Sequence, residues 1–244
     1  MKRYECLLLD ADETLFDFRR AEAFALERAF AERGLVATPE AVAAYDAINK
    51  EIWRRLERGE IDQATLKVER FALLFADMGV DLDAADFSEL YLSWLGRGSF
   101  LLPGAEELCA YLAAKYRLAI VTNGIAKVQR PRFEASPIRR HFEAIVISEE
   151  VGSAKPRPAI FERACEAMGV LDKSTALMIG DSLSSDIAGG AAYGIDTCWL
   201  NWGAPASAAG ALVPTYIVRD LAELKELFTS AQEVQAPARE KLLA

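Results

Sequence analysis

Short apolar runs alternate along much of the chain with longer stretches of helical periodicity, and the contrast between the two periods predicts the architecture. Cys6-Leu7-Leu8-Leu9 is too brief for a helix and stops at Asp10, as a buried parallel strand would. Similar runs recur at Leu118 to Thr122, Ala144 to Ile147, Ala176 to Ile179 and Thr197 to Leu200. Between them the pattern is helical near Ala105 to Lys115, Ala126 to Glu134, Ala159 to Met168 and Ser184 to Ala192, with glycine or proline at the ends. Strand alternating with helix predicts an α/β fold: a Rossmann-like, doubly wound parallel sheet with helices on both faces.

From about Phe18 to Arg97 the alternation stops. Helical periodicity continues throughout, with turn signals near Gly34, Gly59 and Gly79, and no segment reads as a strand. This stretch is expected to be an inserted four-helix cap domain, residues 18–97, interrupting a core domain of residues 1–17 and 98–230. Residues 231–244, built of Gln, Glu, Pro, Ala, Arg and Lys without turn signals, are expected to form a frayed or loosely helical tail.

Composition narrows the picture. An apolar fraction of 52% and a charged fraction of 27% suit a globular protein with an ordinary core. No apolar run approaches the ~20 residues needed to cross a bilayer. The start, Met1-Lys2-Arg3-Tyr4-Glu5, passes straight into the first strand without a signal-like apolar region, so a cytoplasmic location is expected. Cys6, Cys109, Cys165 and Cys198 are scattered through apolar contexts, which fits reduced core thiols rather than a disulfide framework or zinc site. A net charge of −9 argues against nucleic acid polymers and anionic membranes as partners. No obligate protein partner is evident. An anionic ligand would then need local positive charge, which a bound divalent cation can supply.

In open parallel sheets ligands bind beyond the carboxyl ends of the strands. Those ends carry Asp10-Ala11-Asp12-Glu13-Thr14, Thr122-Asn123-Gly124, and Gly180-Asp181 followed by Asp186, and the loop after the third strand carries Lys155-Pro156. Carboxylates of Asp10 and Asp181 at neighbouring strand ends repel each other unless a cation or proton intervenes. Hard oxygen ligands with water positions to spare suit Mg²⁺ together with a substrate phosphate. Lys155 and the Thr122 hydroxyl can hold phosphate oxygens, and the amides around Asp12 and Asn123 can add donors. A carboxylate such as Asp10 can carry a phosphoryl group covalently. Asp12, two residues on, is spaced to protonate the leaving oxygen and then to take a proton from the attacking water.

At these residues the sequence resembles the haloacid dehalogenase superfamily of phosphohydrolases, whose four motifs occur here in order. The resemblance implies Asp10 as nucleophile and Asp12 as general acid/base. It further implies Thr122 and Lys155 as phosphate holders, Mg²⁺ on Asp10, the Asp12 carbonyl and Asp181, and Asp186 in support of the metal. Asp10 to Phe16, Asn49-Lys50, Ile147 to Gly152 and Thr197 to Asn201 are similar to the bacterial branch that hydrolyses pyrimidine and non-canonical nucleoside monophosphates. The substrate expected is a small phosphorylated metabolite. N-acylneuraminate-9-phosphatases share much of the pattern, and sugar-phosphate phosphatases and phosphomutases use the same core.

Each residue also has a plainer reading. Strand-end aspartates often cap helices, although four such ends each bearing the right residue is an improbable coincidence. A catalytically silent binding protein on this fold would not need Asp10, Asp12, Lys155 and Asp181 together. A dehalogenase would need only the nucleophile. Glu13 has no assigned role, His141 is expected at a surface or helix end, and Arg130 and Arg132 read as solvated. Tyr45, Asn49 and Trp53 recur at intervals of four along one helical face. The aromatics suit a helical core, whereas the Asn49 amide needs a partner if buried and is the candidate for substrate binding in the insertion.

Overall fold

The run Cys6–Leu9 forms the first strand, β1, with all four residues buried, as a strand covered on both faces requires. The protein is described here by a computed structural model, in which residues 4–233 are placed. Four helices follow β1: α1 (Phe18–Glu32), α2 (Pro39–Glu57), α3 (Gln63–Met78) and α4 (Ala84–Leu95). Then come α5 (Ala105–Ala113), β2 (Arg117–Thr122), α6 (Ala126–Glu134), β3 (Ala144–Ile147), the one-turn α7 (Ser148–Val151) and α8 (Pro158–Ala167). The chain continues through β4 (Ala176–Gly180), α9 (Ala188–Tyr193), β5 (Asp196–Leu200), β6 (Tyr216–Val218) and α10 (Leu221–Glu233).

The six strands form one sheet in the order β3-β2-β1-β4-β5-β6, every pairing parallel. β1 lies between β2 and β4, with Leu9 opposite Ile120 on one side and Ile179 on the other, so the residues just beyond these strands converge at one edge. Alternation along the strands divides the core. Cys6, Leu8, Ala119, Val121, Ala176 and Met178 pack with Ile160, Phe161 and Ala164 of α8, while Leu7, Leu9, Ile120 and Leu177, of opposite parity, are equally buried. The α/β expectation holds. Three of these elements went unforeseen: the one-turn α7, β6, which is only three residues long, and α10, whose end takes in residues 231–233 of the expected tail. The remainder of that tail lies outside the described residues.

The insertion forms four helices, each begun by a short polar side chain that accepts from an otherwise unpaired backbone N–H. Asp17, Thr38, Asp62 and Asp83 take this role for α1 to α4, Pro39 occupies the first turn of α2, and Gly79 closes α3 in the left-handed conformation. Tyr45, Phe71, Phe75, Phe87 and Tyr91 interlock inside, Tyr45 stacking on Phe71 with ring centroids 5.5 Å apart. Tyr45 is thus a core residue, and Trp53 packs against the same cluster.

Two compact units result. One comprises the described residues up to Phe16, Leu101–Asn123 and those from Pro137 onward; the other comprises Asp17–Phe100 and Gly124–Ser136. The second grouping differs from the sequence reading, which gave residues 124–136 to the sheet domain. Ile125 and Val128 join the helical core, so α6 belongs with α1 to α4 by packing although it follows β2 in sequence.

Candidate active site

Asp10 stands at the first position beyond β1, where its N–H still donates to the Ile179 carbonyl, and its side chain is almost wholly buried. Asp10 Oδ1 lies 2.5 Å from Lys155 Nζ, and the buried Thr14 hydroxyl lies 3.4 Å from Oδ2. The turn after Asp10 closes on itself: Leu15 and Phe16 both donate to the Ala11 carbonyl, Glu13 donates to that of Phe16, and Asp12 bridges to Phe16. Asp12 is thereby fixed two residues from Asp10 at the same edge.

Lys155 is 2% exposed, which for a lysine demands compensation in every direction. Nζ donates to Asp10 Oδ1 and to the Val121 carbonyl at 2.7 Å, and approaches Asp186 Oδ1 at 2.7 Å, an ion pair lying off the line of a hydrogen bond. Burial works to lower the lysine pKa, but Asp10 and Asp186 outweigh it and hold Lys155 above its ordinary value, firmly as ammonium. Its backbone is equally constrained. The Asn123 side chain donates from Nδ2 to the Lys155 carbonyl at 2.9 Å and accepts from the Lys155 N–H at 2.7 Å, and Lys155-Pro156 is cis.

The sequence reading expected Asn123 to bind substrate; its side-chain amide is found paired with the backbone of Lys155. Thr122, the last residue of β2, is buried beside it.

Asp181 and Asp186 complete the cluster. Asp10, Asp181 and Asp186 each offer a carboxylate oxygen within 4.8 Å of the others, and Asp186 Oδ2 also accepts from the Ser182 N–H at 3.0 Å. Asp186 comes this close because Gly180 has no side chain: a Cβ there would collide with the Asp186 carboxylate. The expected split, with Asp181 on the metal and Asp186 behind it, is less sharp in the geometry, where all three acids stand together. Burial, the nearby Asp186 and the nearby Asp12 push the Asp10 carboxyl up to about 7, against the pull of Lys155. Burial together with Asp10 and Asp186 pushes Asp181 up to about 8.

Such a cluster accommodates either protons or a cation. Hard carboxylate oxygens this close, raised by burial and mutual repulsion, fit a small divalent ion that prefers oxygen.

The helical unit gives a different answer for Asn49. Its side chain is buried, donating from Nδ2 to Glu22 at 2.9 Å and accepting at Oδ1 from Arg70 Nη1 at 3.3 Å, so its hydrogen bonds go to its own unit. Arg132, read as solvated, is fully buried and donates from Nε to the Gly98 carbonyl at 3.2 Å, whereas Arg130 is exposed. The four cysteines are free and buried, as expected. Among the described residues no helix is long and apolar enough to cross a membrane.

Residues 4–194 match the family model of haloacid dehalogenase-like hydrolases. The chain is 36% identical to the HAD-hydrolase YfnB of Bacillus subtilis, across 92% of this chain and 95% of the relative. It is 35% identical to the pyrimidine 5′-nucleotidase YjjG of Escherichia coli, across 92% and 98%. A second pyrimidine 5′-nucleotidase, PynA of Streptococcus pneumoniae, is 35% identical across 81% and 84%. The crystal structure of YfnB bound to magnesium superposes with a TM-score of 0.87 at 35% identity, covering 93% of this chain and 99% of that one. With its sheet order, its strand-end acids and these relatives in agreement, the chain belongs to the haloacid dehalogenase-like hydrolases.

Proposed function

We propose that the protein is a Mg²⁺-dependent phosphomonoester hydrolase that works through an aspartyl phosphate on Asp10, with nucleoside 5′-monophosphates, pyrimidine ones foremost, as the substrate class. The observation that carries this reading is the meeting of Asp10, Asp181 and Asp186 with Lys155 at the carboxyl edge of the sheet. A halide leaves without a proton, so a dehalogenase has no use for Asp12 as an acid. The nucleotide assignment rests on the two nucleotidase relatives, which this chain matches over most of its length.

Asp10, the Asp12 carbonyl and Asp181 would hold Mg²⁺, with Asp186 supporting them, and the ion would offset the charge of phosphate and carboxylates together. Lys155 and Thr122 bind the non-bridging oxygens, with Asn123 keeping Lys155 in place. An Asp10 oxygen attacks phosphorus as the leaving oxygen takes a proton from Asp12. Asp12, now a carboxylate, takes a proton from a water that attacks the phosphorus, releasing inorganic phosphate and restoring Asp10.

A panel of phosphorylated metabolites tests the assignment. Turnover is expected with Mg²⁺ and absent in excess chelator, with pyrimidine nucleoside monophosphates ranked above sugar phosphates and N-acylneuraminate 9-phosphate. Full turnover after chelation would remove the metal role, a sugar phosphate at the head of the ranking would overturn the substrate class, and an isomerised sugar phosphate as product would indicate a mutase.

The raised carboxyl values carry a stability prediction. Between the ordinary aspartate value of 3.8 and about 7 for Asp10 or about 8 for Asp181, the folded metal-free protein holds more protons than the unfolded chain. These groups therefore subtract stability as pH rises through that window. Mg²⁺ needs the ionised forms, so its stabilisation grows in the same direction. At hundredfold excess over Kd it is worth ~2.7 kcal/mol, or roughly 5–10 °C in Tm for a chain of this size. The Tm gain on adding Mg²⁺ is expected to be larger at about pH 8 than at about pH 5. Asp181→Asn should flatten the difference, and a gain independent of pH would contradict the protonated cluster.

Asn49 we assign to the framework of the helical unit. Asn49→Ala removes the amide that joins Glu22 to Arg70 and should cost ~1–3 kcal/mol, read as a fall in Tm. The ratio of turnover on a nucleoside monophosphate to that on 4-nitrophenyl phosphate should stay constant. An unchanged Tm with loss confined to the nucleotide would return Asn49 to substrate binding.

A further inference from the structure

Among the described residues two non-glycine positions have positive φ, Glu13 at 58° and Trp202 at 48°. This left-handed region is unfavourable for an L-residue, and neither position carries the glycine or asparagine that would reduce the cost. They lie 189 positions apart, yet they touch: Trp202 Nε1 donates to the Glu13 carbonyl at 2.7 Å. Two unfavourable backbone conformations are thus joined by one hydrogen bond. Such conformations persist where the surroundings fix them, and they cluster at functional sites.

Core packing does not explain Trp202, which remains 43% exposed. Its neighbour Trp199 supplies the contrast, being buried in β5 and donating its indole N–H to the Asp181 carbonyl at 2.9 Å. One short segment therefore sends two indoles to two of the loops that carry the acid cluster. The base of Trp202 is rigid: Asn201 donates from its backbone to the Val218 carbonyl and from its side chain to the Ala204 carbonyl, and accepts from the Gly203 N–H. At the other end, the N–H groups of Glu13, Leu15 and Phe16 bond within the turn, and the Glu13 carbonyl accepts from Trp202. The φ of Glu13 sets the angle of the Asp12–Glu13 peptide, and with it the direction of the Asp12 carbonyl and the placement of its side chain.

We propose that Trp202 is a positioning residue for the reaction: its indole N–H, held on the Glu13 carbonyl, fixes the turn after the nucleophile in the conformation that presents Asp12. The inference rests on the phosphatase reading above, in which Asp12 is the general acid and base. Its consequence is selective. A poor leaving group needs the proton of Asp12, whereas an activated aryl oxide departs with little help.

Trp202→Phe keeps an aromatic ring and deletes the donor. Single-turnover phosphorylation by uridine 5′-monophosphate should slow about tenfold, the effect of one positioning hydrogen bond, while 4-nitrophenyl phosphate should change by less than about twofold, with KM and Tm near those of the parent. Hydrogen–deuterium exchange of the peptide covering Asp10 to Phe16 should quicken in the full-length variant. Equal losses on the two substrates would overturn the positioning role, as would faster exchange without any kinetic loss. Unaltered exchange would overturn the clamp itself. If the parent enzyme hydrolyses neither ester, the catalytic role falls with the phosphatase reading, and faster exchange in the variant would support the clamp alone.

Discussion

Two buried carboxylates, a half-buried one and a buried ammonium meet where β1 and β4 end, and the surrounding structure is arranged to make that tolerable. With every group ionised, negative charge exceeds positive in a place where water screens little. Lys155 meets part of the excess, and its fixed position is what lets it do so. The Val121 carbonyl accepts a hydrogen bond from its ammonium, while both ends of the Asn123 amide hold its backbone. Gly180 admits Asp186 at the closest approach. The remaining charge leaves Asp10 and Asp181 near the point where they take a proton, which is also the condition in which a divalent cation is welcome.

The helical unit solves a different problem. Its core is aromatic, yet it encloses Arg70, whose Nη1 donates to the Tyr45 hydroxyl and to Asn49 while Nε and Nη2 have no protein partner. A buried guanidinium with two unmet donors is costly unless ordered water completes its shell. The rings of Phe71 and Tyr91 lie about its cation at 5.0 and 4.9 Å, contacts that offset part of the loss of water. Glu22 reaches this group through Asn49, so the amide bridges an acid and a base.

Much of this was legible in the sequence because it is local. A four-residue apolar run ending in an aspartate marks the strand and its polar end, and the glycines at 34, 59 and 79 mark the turns that follow α1, α2 and α3. What escaped is non-local. Asn123 and Lys155 are 32 positions apart, and nothing in either neighbourhood tells that the amide will close on the lysine backbone. α6 follows a strand, as a sheet helix should, but Ile125 and Val128 bury elsewhere. Arg132 looked like a surface charge because its main acceptor, the Gly98 carbonyl, is a backbone group that composition cannot show. Trp202 and Glu13 were illegible for the same reason, since positive φ at a tryptophan or glutamate runs against every local preference and is maintained by a partner far along the chain.

The proposed mechanism stands or falls with the phosphoryl group on Asp10. Acid quench of the full-length enzyme during turnover with Mg²⁺, followed by borohydride reduction and peptide mass spectrometry, reads this directly, because a phosphorylated aspartate is reduced to homoserine. Homoserine is expected at position 10, dependent on substrate and absent in Asp10→Asn. Sustained phosphate release from 4-nitrophenyl phosphate, whose leaving group needs little of the Asp12 proton, with Asp10 unmodified at every quench time in Asp12→Asn would contradict the mechanism.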